Sequence, residues 1–207
     1  MDGKRGLRGH RVRNPARAEA RRREVLRAAA RAFAEHGYRE TTVDDIARKL
    51  GATKGVIYHY FQSKEEIFVE IRATAIKEAA ARVQAIIDRG EPPQPTLRAI
   101  IKDLISHIFG TVEHHAIVER ETRALQPENR QRIRDLQRRY ERLVRGVVEE
   151  GIRQGVFAQR DARVMSLTLL RCALATAFWY RPSGPRPPEQ VVDQVVDQLV
   201  GGVLARP

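Results

Sequence analysis

Residues 42–64 read TVDDIARKLGATKGVIYHYFQSK. Thr42 followed three residues later by Asp45 has the pattern of a capping box, with Asp in place of Glu, so a helix starts here. Val43, Ile46, Ala47 and Leu50 fall on one face of that helix. Gly51 breaks it, and Thr53 caps a second, very short helix through Phe61. Two short helices joined by a tight, glycine-containing connection have the spacing of a helix-turn-helix. Ala47 falls where the two helices cross and only a small side chain fits. Ile46, Leu50 and Ile57 pack the pair together, which leaves Lys54, Tyr58 and His59 to face outward.

The same helical period continues on both sides. Upstream, over residues 17–36, Val25, Ala29 and Phe33 recur every four residues, with Leu26 and Ala30 beside them, and Gly37 ends the stripe. Downstream, Ser63-Lys-Glu-Glu66 is a full capping box that opens a long helix to about Arg89. Gly90 and Pro92-Pro93-Gln94-Pro95 break it. Helical pattern resumes over 96–113, in a short segment at 116–125, from Pro127 to about Gln154, over 162–181 behind a cap at Asp161, and over 188–205. The last segment is rich in valine, which favours strands. Its repeat, Val191-Val-Asp-Gln then Val195-Val-Asp-Gln then Leu199-Val-Gly-Gly, has a period of four and not two, so the pattern predicts a helix. The expectation is an all-α chain of about nine helices. A basic disordered arm covers 1–19, a three-helix DNA-binding domain 20–66, and a helical domain 67–207 whose effector-binding and dimerisation roles rest on a family resemblance.

Charge supports a polyanionic partner. The 207 residues carry a formal net charge of +12. Residues 1–31 hold eleven basic and three acidic side chains, so eight of those twelve charges lie beside the helix-turn-helix. Cys172 is the one cysteine, so no intrachain disulfide or cysteine zinc site can form, which fits a reducing cytoplasm. No signal-peptide pattern and no run of about 18 apolar residues is present; the longest apolar stretch, Val164–Tyr180, is interrupted by Arg171. No GxSxG, glycine-rich phosphate loop or nucleophile with a base occurs, so the residues point away from an enzyme.

In these residues the chain resembles the TetR family of regulators. Thr53-Lys-Gly-Val-Ile-Tyr-His-Tyr-Phe61 followed by Ser63-Lys-Glu-Glu66 is similar to that family's recognition-helix signature, and Phe33-x-x-x-Gly37-Tyr38-x-x-Thr41-Thr42 matches as well. The resemblance covers residues 20–70. It implies a homodimeric repressor that binds a pseudo-palindromic operator and is released by a small molecule, with no cofactor. It implies that Thr42 places its hydroxyl and N–H on a phosphate, that Thr53, Lys54 and Gly55 enter the major groove, and that Tyr58 and Tyr60 reach phosphates. His59 would face base edges and Lys64 would neutralise a phosphate. The bland readings are that Thr42 and Ser63 are caps only and that Tyr60 and Phe61 are core.

The rest of the chain offers further expectations. The segment from Phe178 to Gln190 is similar to a subgroup of TetR-like repressors of fatty-acid, sterol or aromatic-acid degradation, whose effectors are acyl-CoA thioesters. A multidrug-type regulator with an aromatic pocket is the alternative, against which an aromatic content of 6% argues; a non-specific basic DNA-binding protein is another. His107, Phe109, Arg171, Phe178 and Trp179 are the candidate effector-pocket residues. Arg171 is read either as a salt-bridge partner of Glu119 or Glu121 or as an anchor for an acidic effector. His107 and His114 share a helix face, but no HExxH or cysteine accompanies them, so they read as pocket lining or surface and no metal site is assigned. Leu167, Leu170, Leu174, Val192, Val195, Val196, Leu199 and Val203 are the expected dimer interface, because such apolar faces would otherwise stand exposed.

Overall fold

The computed structural model describes residues 15–110, 121–122 and 124–205. The arm residues 1–14, His114, His115, Glu119 and most of the segment expected at 116–125 lie outside the described residues. Eight helices are present among the described residues: α1 (Pro15–His36), α2 (Val43–Leu50), α3 (Lys54–Tyr60), α4 (Lys64–Ile87), α5 (Pro93–Phe109), α6 (Pro127–Arg153), α7 (Ala162–Trp179) and α8 (Pro188–Gly201). The chain divides into two units between Ile67 and Phe68. Residues 15–19, expected in the arm, are instead the first turns of α1. Proline is accommodated in a first turn, and Ala16, Ala18 and Ala20 are strong helix formers.

In the first unit α1 packs on α2 and α2 on α3. Val25, Ala28, Ala29 and Ala32 of α1, Ile46 and Ala47 of α2, Ile57 of α3, and Phe61 are buried. The small residues at 28, 29, 32 and 47 let short helices approach closely. Gly37 and Gly51 have φ of 80° and 66°, a left-handed conformation that favours glycine, and each ends the helix before it.

In the second unit α5 is the central helix, packed against α6, α7 and α8. Leu97, Ile100, Ile101 and Ile105 supply its core face. Val192, Val196 and Val200 of α8 are buried at the four-residue spacing expected of a helix. The ion pairs Arg98–Asp197 (2.5 Å) and Lys102–Asp193 (2.6 Å) flank the same contact. The end of α6 closes on the C-terminal segment. A Cβ at Gly151 would stand 2.1 Å from the Phe157 ring, so the ring occupies the place a side chain would need. Phe157 and Leu204 form an isolated antiparallel bridge, in which the Ala158 N–H donates to the Val203 carbonyl at 2.9 Å and the Ala205 N–H to the Val156 carbonyl at 3.0 Å.

Helix α7 has two unlike faces. Met165, Leu169, Leu170, Ala173 and Ala177 are buried in the unit's core, while Val164, Leu167, Phe178 and Trp179 are exposed. By length and composition alone α7 is apolar enough to cross a membrane, yet one of its faces is already taken by α5 and α6. The expected dimer surface therefore needs correction. Leu170, Val192 and Val196 are consumed inside their own chain; Leu174, Val195, Leu199 and Val203 are half-buried; Leu167 is the expected member that faces outward. An apolar stripe in a sequence says that something covers it but not whether the cover belongs to the same chain. Val196→Arg should consequently place an unpaired charge in the core and cost about 3–5 kcal/mol of folding stability, read as a lowered urea midpoint. A folded monomeric variant of unchanged stability would contradict this placement.

Candidate nucleic-acid interface

The first unit is organised by polar contacts to its turns. Thr42 and Asp45 form the capping box: the Asp45 N–H donates to Thr42 Oγ1 at 3.2 Å, and the Thr42 N–H donates to Asp45 Oδ2 at 2.9 Å. The Thr42 hydroxyl also donates to Asp45 Oδ2, at 2.6 Å. These bonds, the hydroxyl's first, hold the Asp45 carboxyl below the usual aspartate range. A folded-state pKa lowered in this way adds stability above the ordinary carboxylate range, and that stability is lost as pH falls through it. Both groups that Thr42 was expected to offer a phosphate are donated to Asp45. A phosphate at this helix end therefore competes with the cap.

Thr53 precedes α3, but its side chain makes no capping bond, and the turn is closed by the Val56 N–H donating to the Thr53 carbonyl at 3.0 Å. Ser63 accepts from the Glu66 N–H at 3.1 Å, which is one half of the expected box. The Glu66 carboxylate goes instead to the Gln62 N–H at 2.6 Å.

Lys64 departs furthest from expectation. Its ammonium donates to the carbonyls of Tyr38 (2.7 Å), Arg39 (3.0 Å) and Thr41 (2.8 Å) and lies 4.5 Å from the centre of the Tyr38 ring. An ammonium has three N–H donors, and here all three are committed to the connection between α1 and α2. That connection is also gripped from inside by the buried Thr41 hydroxyl, 2.6 Å from the Gly37 carbonyl and 3.1 Å from that of Ala32. The geometry gives Lys64 a role in fixing the helix-turn-helix.

What remains outward is the start and outer face of α3. Lys54, Gly55, Tyr58 and His59 are exposed, Tyr58 to 53%, while Ile57 and Phe61 point inward. Tyr60 is half-buried and meets the His59 ring edge-on at 4.9 Å. Phe61 is core, with the Arg22 guanidinium 4.7 Å above its ring. At Gly55 an added Cβ would meet only Thr53 Oγ1, at 3.7 Å, so the protein itself does not require glycine there. The opening makes α3 closely approachable from outside.

In the second unit the expected pocket residues differ in exposure. Phe109 stacks on Tyr180 with ring centres 3.5 Å apart. His107 and Arg171 are exposed, as are Phe178 (60%) and Trp179 (54%). The last three stand on the outer side of α7, because its opposite stripe fills the core. Arg171 is thus exposed, although its place in an apolar stretch suggested burial. A polar group that the sequence did not single out lies nearer the core. Arg82 of α4 donates through Nε to both Asp103 oxygens at 3.1 Å, and the buried Tyr140 hydroxyl of α6 has no hydrogen-bond partner among the described residues. Burial, then the Asp103 charge, raises the Tyr140 pKa. The signal was present as polar residues inside helical apolar stripes, but pairing across three helices cannot be read from spacing.

One test follows for Lys64. Lys64→Met keeps the apolar stem and removes the donors, and should cost the unit about 2 kcal/mol. It should lower the thermal midpoint without changing the salt dependence of DNA binding measured on folded protein. Unchanged stability with a shallower salt dependence would return Lys64 to the phosphates.

Known proteins agree with this architecture. Residues 25–71 match the family model for bacterial regulatory proteins of the tetR family, and residues 90–203 match the tetracyclin repressor-like C-terminal domain. The HTH-type transcriptional repressor KstR2 of Mycobacterium tuberculosis is 32% identical over 190 residues, covering 89% of this chain and 93% of the relative. A TetR/AcrR-family regulator from Thermobifida fusca superposes with a TM-score of 0.77 at 31% identity, over 88% of this chain and 98% of that one. AibR, solved in complex with isovaleryl coenzyme A and operator DNA, superposes with a TM-score of 0.76 at 26% identity, over 87% and 98%. The chain belongs to the TetR family of bacterial regulatory proteins, as a transcriptional repressor.

Proposed function

We propose that the exposed end of α3 reads operator DNA in the major groove and that a coenzyme A thioester releases the protein from it. The first part rests on one observation: a seven-residue helix whose inner side chains are core and whose Thr53, Lys54, Gly55, Tyr58 and His59 stand outward. Lys54 donates to guanine O6 and N7, and His59 meets a neighbouring base edge. Gly55 lets the backbone come close, and Tyr58 and Tyr60 position the helix through phosphates. Residues 20–66 are the DNA-binding domain and 67–207 the dimerisation and effector domain, acting in the cytoplasm and without catalysis. The two recognition helices of a dimer meet half-sites about 34–36 Å apart.

The dimer face is the outer side of α7. Val164, Leu167, Phe178 and Trp179 form an apolar surface that a two-fold mate covers. Leu167→Glu changes an outward residue and leaves the core intact, so it should give folded monomers in sedimentation. A folded dimer would assign the contact elsewhere.

Support for the effector comes from the segment Phe178–Gln190 and from the neighbour that holds isovaleryl coenzyme A. A buried tyrosine hydroxyl between α4, α5 and α6 is a donor suited to a thioester carbonyl. Release works by population shift: a thioester that binds the DNA-incompetent dimer better drains the competent one, and operator DNA weakens thioester binding by the same factor.

Two measurements test this reading. Operator is first selected from a random DNA library by the wild-type protein. Lys54→Ala should then cost about 1–3 kcal/mol per half-site on that operator and little on scrambled DNA. Equal losses on both would remove Lys54 from base reading. Isovaleryl, long-chain and aryl coenzyme A thioesters are titrated against the operator complex. At least one should lower operator affinity while free coenzyme A does not, and a panel without effect would end the thioester reading.

A further inference from the structure

A carboxylate stands beside the proposed base-reading lysine. Asp44, in the first turn of α2, places Oδ2 3.4 Å from Lys54 Nζ at the start of α3. Both side chains are about three-fifths exposed, 60% for Asp44 and 62% for Lys54. Negative charge on a surface that meets DNA opposes binding to every phosphate. Asp44 is accounted for neither by the core nor by the cap: it is not buried, and the box is formed by its neighbour Asp45.

We infer that Asp44 is a specificity-determining residue, which holds the Lys54 ammonium away from non-specific phosphates and aims it at the right base. The inference rests on Lys54 facing DNA. A surface pair of this exposure changes an equilibrium by a few-fold at most. An ammonium has three N–H donors, so guanine O6 and N7 take two while the third stays on Asp44, and the operator complex forms without breaking the pair. A passing phosphate offers diffuse attraction, competes less well, and meets the Asp44 charge as it approaches. Discrimination then comes partly from weakening the wrong complex, a device distinct from improving the right one. Asp44 also lies where a helix dipole favours a carboxylate, so the test must separate this role from simple support of α2.

The experiment is a double-substitution cycle with Asp44→Asn and Lys54→Gln in the full chain, measured on selected operator and on scrambled DNA at several salt concentrations. With Lys54 present, Asp44→Asn should tighten scrambled-DNA binding about two- to fivefold per half-site and leave operator binding within twofold, lowering the specificity ratio. Its salt dependence on scrambled DNA should steepen by about one unit per half-site, as one more phosphate is neutralised. With Lys54→Gln, the gain on scrambled DNA should largely disappear, and Asp44→Glu should keep the wild-type ratio. The same gain in both Lys54 backgrounds would mean general charge repulsion and overturn the assignment. Equal weakening on both DNAs, in step with a lowered melting temperature, would make Asp44 a helix-support residue and also overturn it. If wild-type protein prefers no sequence, the base-reading proposal itself falls, an outcome distinct from either of these.

Discussion

The recognition helix is only as well placed as the turn beneath it, and that turn is held by one ammonium group. Lys64 Nζ gathers three backbone carbonyls from the connection between α1 and α2. Those carbonyls belong to a segment outside any helix, so the Lys64 bonds hold a stretch that no helical ladder organises. Thr41 ties the same segment to α1 from the other side. With the turn fixed, α2 begins at a defined residue, Ala47 meets α1 and α3 closely, and Ile57 and Phe61 seat α3 in the core. The outward direction of Lys54, Tyr58 and His59 follows from that seating.

The second unit solves a different problem, since α7 must serve two surfaces. One stripe packs on α5 and α6; the other leaves Val164, Leu167, Phe178 and Trp179, with Arg171 among them, open in a single chain. Large apolar side chains so exposed fit the proposed dimer. The half-buried Arg82–Asp103 pair lies beside the buried Tyr140 hydroxyl, at the edge of a mostly apolar core. A buried hydroxyl is tolerated where a partner or a ligand repays its lost hydration.

Most of the helices were legible because their signals are local. The Thr42–Asp45 box, Gly37 and Gly51, Pro127 in a first turn and Asp161 as a cap all act within four residues of themselves. The valine-rich C-terminal stretch formed a helix because its period of four places Val192, Val196 and Val200 on α5, and burial outweighs strand propensity. What was not legible depends on partners distant in sequence. Lys64 read only as a phosphate ligand because the carbonyls that accept its hydrogen bonds lie more than twenty residues away. Arg171 read as buried because the outer face of α7 is also apolar. Val192 and Val196 read as interface because the sequence cannot say that α5 reaches them first. Asp44 drew no notice, since its partner Lys54 is on another helix.

The central claim is that α3 enters the major groove of each operator half-site. Methylation interference tests it directly, because N7 of guanine is open in the major groove and N3 of adenine in the minor. On operator selected by the wild-type protein, N7-methylguanine at positions in both half-sites should block binding. The two clusters should lie about one helical turn or a multiple of it apart, on one face of the duplex. Interference confined to N3-methyladenine, or absent altogether, would contradict the account.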